Sequence, residues 1–287
     1  MAIEKVVVIG GGTMGNGIAQ VVAGAGLEVT IVDVDEAALE RAQKRIDRSL
    51  ERFVKSERLS AEDADGVRAR ISTSTDLDAA AAEADHAIET VIEDLDVKRD
   101  VLGRLDAACR DDVIFASNTS QFPISALAAA TSRADRVIGS HWFNPPPMMD
   151  LIEVIRGVET SDETLATTLE LAERYGKRTV VCQKDTPGFI TSRLIVTLAL
   201  EAMRIVEEGI ADPDDVDLAC VKAFNHAMGP IDTMDLSGLD TALRVADNMR
   251  HTYGERFLAP QNLRALVNAG RLGRKSGSGF KSYEQES

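Results

Sequence analysis

Val6-Val7-Val8-Ile9-Gly10-Gly11-Gly12-Thr13-Met14-Gly15 is the stretch that decides the fold. An apolar run without alternation suits a strand buried on both faces of a parallel sheet. The glycines follow at once as G-x-G-x-x-G, and Gly17-Ile18-Ala19-Gln20-Val21-Val22-Ala23 then reads as a helix ending near Gly24 and Gly26. A second strand, Glu28 to Val32, delivers Asp33. Each part has a task in holding a dinucleotide. Gly10 permits the tight turn, Gly12 lets the backbone approach a pyrophosphate, and Gly15 lets helix and strand pack closely. The helix N-terminus offers free N–H donors and partial positive charge to the phosphates, and Thr13 and Met14 of the glycine turn are read as cofactor contacts. Asp33 can accept bonds from both ribose hydroxyls and would repel a 2′-phosphate, so NAD is favoured over NADP.

Outward from this unit, helical and strand signals alternate. Glu36 to Lys55 reads as a long charged helix and Ala61 to Arg70 as another. Strands follow at Ile71–Thr73, His86–Val91, Val113–Ala116, Arg136–Ser140, Leu151–Ile155 and Thr179–Cys182, with helices at Asp96–Ala108 and Asp162–Tyr175. The alternation predicts an α/β domain of Rossmann type, a doubly wound and mostly parallel sheet, over residues 1–185. From Thr186-Pro187-Gly188 onward the strand signals stop. Phe189 to Glu208 carries Leu194, Leu198, Met203 and Val206 at helical spacing, and Pro213, Pro230 and Pro260 each open a further helix. This predicts an all-α domain over 186–287, with the substrate in the cleft between the two. Its apolar helix faces read equally as an ordinary core or as a subunit interface.

Ligands of doubly wound sheets bind beyond the carboxyl ends of the strands. Two polar segments fall there: Ser117-Asn118-Thr119-Ser120, and Gly139-Ser140-His141-Trp142-Phe143-Asn144-Pro145-Pro146-Pro147. Oxidising an alcohol with NAD needs a base for the hydroxyl proton, and histidine titrates near neutrality. A carboxylate on the other ring nitrogen would fix the tautomer. Glu153 can do this if the chain doubles back between 141 and 153, which the three prolines favour. Of the four histidines, His86 and His226 have no carboxylate at useful spacing, and His251 sits in a predicted helix. Ser120 reads equally as a satisfied turn serine or as a group that holds the substrate oxygen.

Composition excludes several other functions. The net charge of −15, with 23 Arg and 9 Lys, argues against nucleic acid, which requires a basic face. An acidic, lysine-poor surface would suit a salt-rich cytoplasm. No apolar run approaches the roughly 20 residues that span a bilayer, so no membrane partner is expected. The N-terminus runs straight into a strand without a signal-peptide layout, which points to a cytoplasmic protein. Cys109, Cys182 and Cys220 lie far apart, so neither a disulfide framework nor a metal site is expected.

At these residues the chain resembles the short-chain L-3-hydroxyacyl-CoA dehydrogenases, including bacterial 3-hydroxybutyryl-CoA dehydrogenases. The likeness runs over nearly the whole length, through Gly10–Gln20 with Asp33, Glu89–Lys98, Ala116–Ser120, Gly139–Pro147 with Met149–Gly157, Lys184–Ile190, Met228-Gly229-Pro230 and Gly270–Phe280. It implies NAD-dependent oxidation of an (S)-3-hydroxyacyl-CoA, with His141 as base, Glu153 as its orienting partner and Ser120 on the substrate oxygen. It also implies that Asn144 shapes the site, that Glu93, Lys98 and Asn118 meet the cofactor, and that coenzyme A runs over Arg52, Lys55 and Ser56. A homodimer through the C-terminal domain is implied as well. The family's fourth catalytic position, an asparagine, is Ser192 here, ahead of Arg193. A serine can still donate to a carbonyl oxygen, but the four-residue site is not fully reproduced. Trp142, Pro146, Ala227 and Lys281 are milder departures.

Two alternatives remain at this level: a dehydrogenase of a free hydroxy acid or sugar acid on the same scaffold, and a non-catalytic NAD-binding protein. A third, a β-hydroxyacid dehydrogenase with a lysine base in the second domain's first helix, fails because Phe189–Glu208 contains no lysine.

Overall fold

Strands without a polar face must be covered on both sides, and the sheet of this protein is. In the computed structural model, which describes residues 3–283, the chain forms two compact units, Met1–Thr186 and Pro187–Ser287. The first holds eight strands: β1 (Lys5–Ile9), β2 (Glu28–Val32), β3 (Ile71–Ser74), β4 (His86–Glu89), β5 (Ile114–Ser117), β6 (Val137–Trp142), β7 (Leu151–Arg156) and β8 (Arg178–Cys182). Their order across the sheet is β3-β2-β1-β4-β5-β6-β7-β8. Every neighbouring pair is parallel except β6 and β7. The order reverses at β1, which lies between β2 and β4, and a crevice opens there beyond the strand ends.

The helices of this unit are α1 (Thr13–Gly24), α2 (Glu36–Lys55), α3 (Ala61–Ala69), α4 (Leu77–Ala82), α5 (Leu95–Ala108), α6 (Ile124–Ala128) and α7 (Asp162–Arg174). Helix α1 begins four residues earlier than the apolar run suggested, directly at the glycine turn. Strand β6 runs on to Trp142, and Arg136, read as the strand's first residue, closes a short 3₁₀ turn (Ala134–Arg136). The five-residue α6 carried no readable signal.

The second unit contains α8 (Thr191–Glu207), α9 (Pro213–Ala223), α10 (Pro230–Ser237), α11 (Leu239–Tyr253) and α12 (Gln261–Asn268). Its core gathers Val196, Leu200, Met203, Ile231, Leu239 and Phe257. The buried stripe of α8 is offset from the expected one. Leu194 is 67% exposed, while Val196, Ala199 and Ala202 face inward.

Lys281, a departure from the family pattern, has a structural explanation within this unit. Its ammonium lies 2.9 Å from Asp214, 2.7 Å from Asp217 and 3.2 Å from Asp232. The buried Asp235 accepts from the backbone of Phe280 and Lys281 and from the Tyr283 hydroxyl. The tail is thereby stitched onto α9 and α10 through carboxylates that would otherwise repel one another.

Candidate active site

The glycine turn is built as its residue types require. Gly10 has φ +103°, a conformation open to glycine, and Thr90 Oγ1 donates to the carbonyls of Ile9 and Gly10 at 2.9 and 3.0 Å. A Cβ on Gly15 would stand 1.8 Å from the Gly10 carbonyl oxygen, so α1 can pack here only with glycine. Around Gly12 a Cβ would meet nothing within 4 Å. Helix α1 starts with no side-chain cap and no acidic residue in its first turn, which leaves its opening N–H groups, at Thr13 and Met14, for an anion.

Asp33 follows β2. Its carboxylate accepts from Gly11 N at 2.8 Å and from Asp35 N at 3.2 Å. Beside it opens a groove of about 370 Å³, lined by Gly10, Asp33, Val34, Thr90, Ile92 and Val101 among others. An uncapped helix start, a bare glycine backbone and a carboxylate beside an apolar groove fit the phosphates, ribose and base of a dinucleotide. Another cleft of about 370 Å³ lies at the amino ends of β1 and β2, lined by Lys5, Glu28 and Arg70, at the opposite end of these strands from the glycine turn and Asp33.

The His141–Glu153 pairing follows from strand register. β6 and β7 are antiparallel and His141 stands directly opposite Glu153, so both side chains leave the same face. The His141 Nδ1 to Glu153 Oε2 distance is 3.0 Å, with Glu153 fully buried and His141 6% exposed. The doubling back read from the prolines is thus present. It includes a cis peptide between Asn144 and Pro145, and Lys177 Nζ donates to the carbonyls of Pro146 and Met149.

On the other ring nitrogen, His141 Nε2 lies 3.0 Å from Ser120 Oγ. If Nδ1 carries the proton donated to Glu153, Nε2 presents a lone pair, which Ser120 then meets as donor. The Phe143 ring lies 4.8 Å from the imidazole, centroid to centroid.

Other residues singled out from sequence take distinct places. Asn118 Oδ1 accepts from Trp142 N at 2.8 Å, tying the β5 turn to the end of β6. Glu93 Oε1 accepts from Thr119 Oγ1, Ser120 N and Gln121 N. Lys98 is 1% exposed, with its ammonium 2.8 Å from Glu89 and 3.1 Å from Glu93. Asn144 lines a groove of about 310 Å³ with Pro145–Pro147, Arg45, Arg48 and Arg52. Lys55 lies at the exposed end of α2, beside Ala61, Asp65 and Arg68. Ser192 belongs to the other unit, half-buried in the first turn of α8. Sequence reading missed Glu89, a fully buried carboxylate ending an otherwise buried strand. A charge inside such a strand was the available signal.

Among the described residues no group of three or more His, Cys, Asp or Glu could hold a metal ion. No described helix is long and apolar enough to cross a membrane.

Two family models match the chain in succession. They are the 3-hydroxyacyl-CoA dehydrogenase NAD-binding domain over residues 5–186 and the 3-hydroxyacyl-CoA dehydrogenase C-terminal domain over 188–283. A probable 3-hydroxybutyryl-CoA dehydrogenase of Bacillus subtilis is 41% identical over 100% of this chain and 99% of its own. Mycobacterium tuberculosis FadB2 is similar in structure, with a TM-score of 0.95 and 41% identity over 99% of this chain and 100% of its own. The (S)-3-hydroxybutyryl-CoA dehydrogenase PaaH1 of Ralstonia eutropha also gives a TM-score of 0.95, with 40% identity over 99% and 100% of the two chains. With both domain models matched in order and relatives this similar end to end, the chain belongs to the 3-hydroxyacyl-CoA dehydrogenase family, and is an oxidoreductase whose cofactor is NAD.

Proposed function

We propose that this enzyme oxidises a short-chain (S)-3-hydroxyacyl-CoA, such as 3-hydroxybutyryl-CoA, to the 3-oxoacyl-CoA, with His141 and Glu153 as its acid–base dyad. The observation that carries the reading is the Ser120–His141–Glu153 chain of hydrogen bonds at the carboxyl ends of β5 and β6. Groups 3.0 Å apart, as Ser120 Oγ and His141 Nε2 are, can both reach one substrate oxygen. The hydroxyl proton passes to Nε2, and Glu153 stabilises the imidazolium so formed. Ser120 donates to the oxygen as it becomes a carbonyl, and Ser192 is proposed as a second donor. Bound NAD supplies the acceptor for the hydride that leaves the carbinol carbon.

Gly10, Gly12, Thr13, Met14, Gly15 and Asp33 are the proposed cofactor residues, with Glu93, Lys98 and Asn118 shaping its nicotinamide end. A thioester of coenzyme A is favoured over a free acid by Arg45, Arg48 and Arg52. None of the three forms an ion pair among the described residues, and all face one groove with Asn144, in a chain of net charge −15. Guanidinium groups left without carboxylates suit phosphates. Lys55 extends this basic edge. A homodimer through residues 187–287 forms part of the reading, supported by the exposure of Leu194, Leu218, Phe224 and Leu236. The proposed location is the cytoplasm.

The test is steady-state turnover of the purified protein with NADH and either acetoacetyl-CoA or free acetoacetate. Rapid NADH loss with the thioester alone is the expected result. Reduction of the free acid only would favour a hydroxy-acid dehydrogenase, and NAD binding without any turnover would favour a non-catalytic protein.

A further inference from the structure

A charge network behind the β5 turn has no part in the proton transfer described above. Glu89 is fully buried and Lys98 is 1% exposed, and a buried charge persists only when paired and hydrogen-bonded. Both carboxylate oxygens of Glu89 are engaged. Oε1 accepts from Lys98 Nζ and from Val91 N, each at 2.8 Å, and Oε2 accepts from Ser117 Oγ at 2.5 Å. Two routes then run from Glu89 to the turn that carries Ser120. Along one, Lys98 holds Glu93 Oε2 at 3.1 Å, leaving Glu93 Oε1 to accept from Thr119 Oγ1 (2.5 Å), Ser120 N (2.9 Å) and Gln121 N (3.1 Å). Along the other, Ser117 Oγ accepts from Thr119 N at 3.3 Å. The backbone of the turn is tethered at three successive residues, and the hydroxyl it projects ends 3.0 Å from His141 Nε2.

We infer that Glu89 is a positioning residue for the reaction: through Lys98–Glu93 and through Ser117 it sets the 119–121 turn and so the placement of Ser120 against His141. Lys98 serves as the buried cation of this network. The inference rests on the proposed sharing of the substrate oxygen by Ser120 and His141. A polar network satisfied at every member is rigid, and rigid support behind a reactive group is what a reaction sensitive to small misplacements requires.

The experiment is a double-mutant cycle between Glu89→Gln and Ser120→Ala. Glu89→Gln keeps the shape of the side chain and leaves Lys98 and Glu93 as a neutral pair. Turnover of acetoacetyl-CoA, thermal melting and the NMR titration of the His141 ring are followed in all four proteins. The expected result is a fall in kcat of about 10–100-fold in Glu89→Gln, the scale seen for groups that orient functional side chains. In the Ser120→Ala background the same change should cost less than about twofold more. The His141 titration midpoint should move in both single variants and no further in the double. Independent, multiplicative losses, or a lowered melting temperature with the His141 titration untouched, would assign Glu89 to fold stability alone and overturn the inference. Should Glu89→Gln fail to fold, Thr119→Val leaves the Glu89–Lys98 pair intact while removing the hydroxyl that donates to Glu93 and accepts from Gln121 N and Phe122 N, and the same coupling to Ser120→Ala is expected. A wild-type protein that turns over no thioester, yet shows the coupled His141 titration, would refute the proposed reaction and support the positioning role.

Discussion

At the scale of single residues, the site is a matter of which atom each side chain is obliged to face. His141 meets Glu153 because antiparallel register puts them opposite one another, and that much was readable from a twelve-residue spacing around three prolines. Glu89 was not, because one acidic residue at a strand end looks like any strand terminus until burial is known. Nor was the enclosure of Lys98, since a lysine in the first turn of a helix ordinarily faces water. Asp33 is better defined, with one oxygen anchored on Gly11 N and the carboxylate beside the groove. Asp33→Asn keeps an acceptor for Gly11 N and removes the charge, together with the weaker acceptor for Asp35 N. The preference for NADH over NADPH, as a ratio of kcat/KM values, should narrow by about 10–100-fold, the worth of a charged hydrogen bond and its repulsion of a 2′-phosphate. An unchanged ratio would remove Asp33 from cofactor selection.

At the scale of elements, the glycine turn divides two tasks between neighbouring residues. Gly15→Ala would drive a methyl into the Gly10 carbonyl, whereas Gly12, at φ −65°, has open space around it. Thermal melts should therefore show Gly15→Ala destabilised by about 1–3 kcal/mol, the usual cost of overpacking. Gly12→Ala should melt within a degree or so of the wild type yet bind NADH more weakly, which calorimetry would read directly. Equal stability of the two variants would mean the turn is not packed as described. Helix α2 spans the charged stretch read as a helix, Glu36–Lys55, and Asp35 caps it by accepting from Ala37 N. Helix α6 was not, since five residues hold too little periodicity. In α8 the expected stripe held at Met203 and Val206 but not at Leu194, which lies on the exposed face while Val196, Ala199 and Ala202 pack inward.

At the scale of the whole molecule, burial couples folding to pH. His86, the first residue of β4, is 2% exposed with no partner on Nδ1, and burial pushes its pKa down to about 4. The unfolded chain, with an ordinary value near 6.5, binds the proton that the folded chain refuses. Stability therefore rises with pH across this window and is lost as pH falls from about 6.5 toward 4, by up to about 3 kcal/mol. Asp85, Asp106 and Asp240 have lowered pKa values despite some burial, because backbone or ion-pair donors hold their carboxylates, and their contributions are lost only at lower pH. Chemical denaturation of wild type and His86→Gln between pH 7 and 4 should show a shallower pH slope in the variant. Parallel slopes would place the acid sensitivity elsewhere. The central claim concerns catalysis by one imidazole, and its most direct test is kcat for acetoacetyl-CoA reduction by His141→Ala at saturating NADH. A fall of about 10²–10⁴-fold, with NADH binding and melting temperature unchanged, is predicted. Turnover within about threefold of the wild type would contradict it.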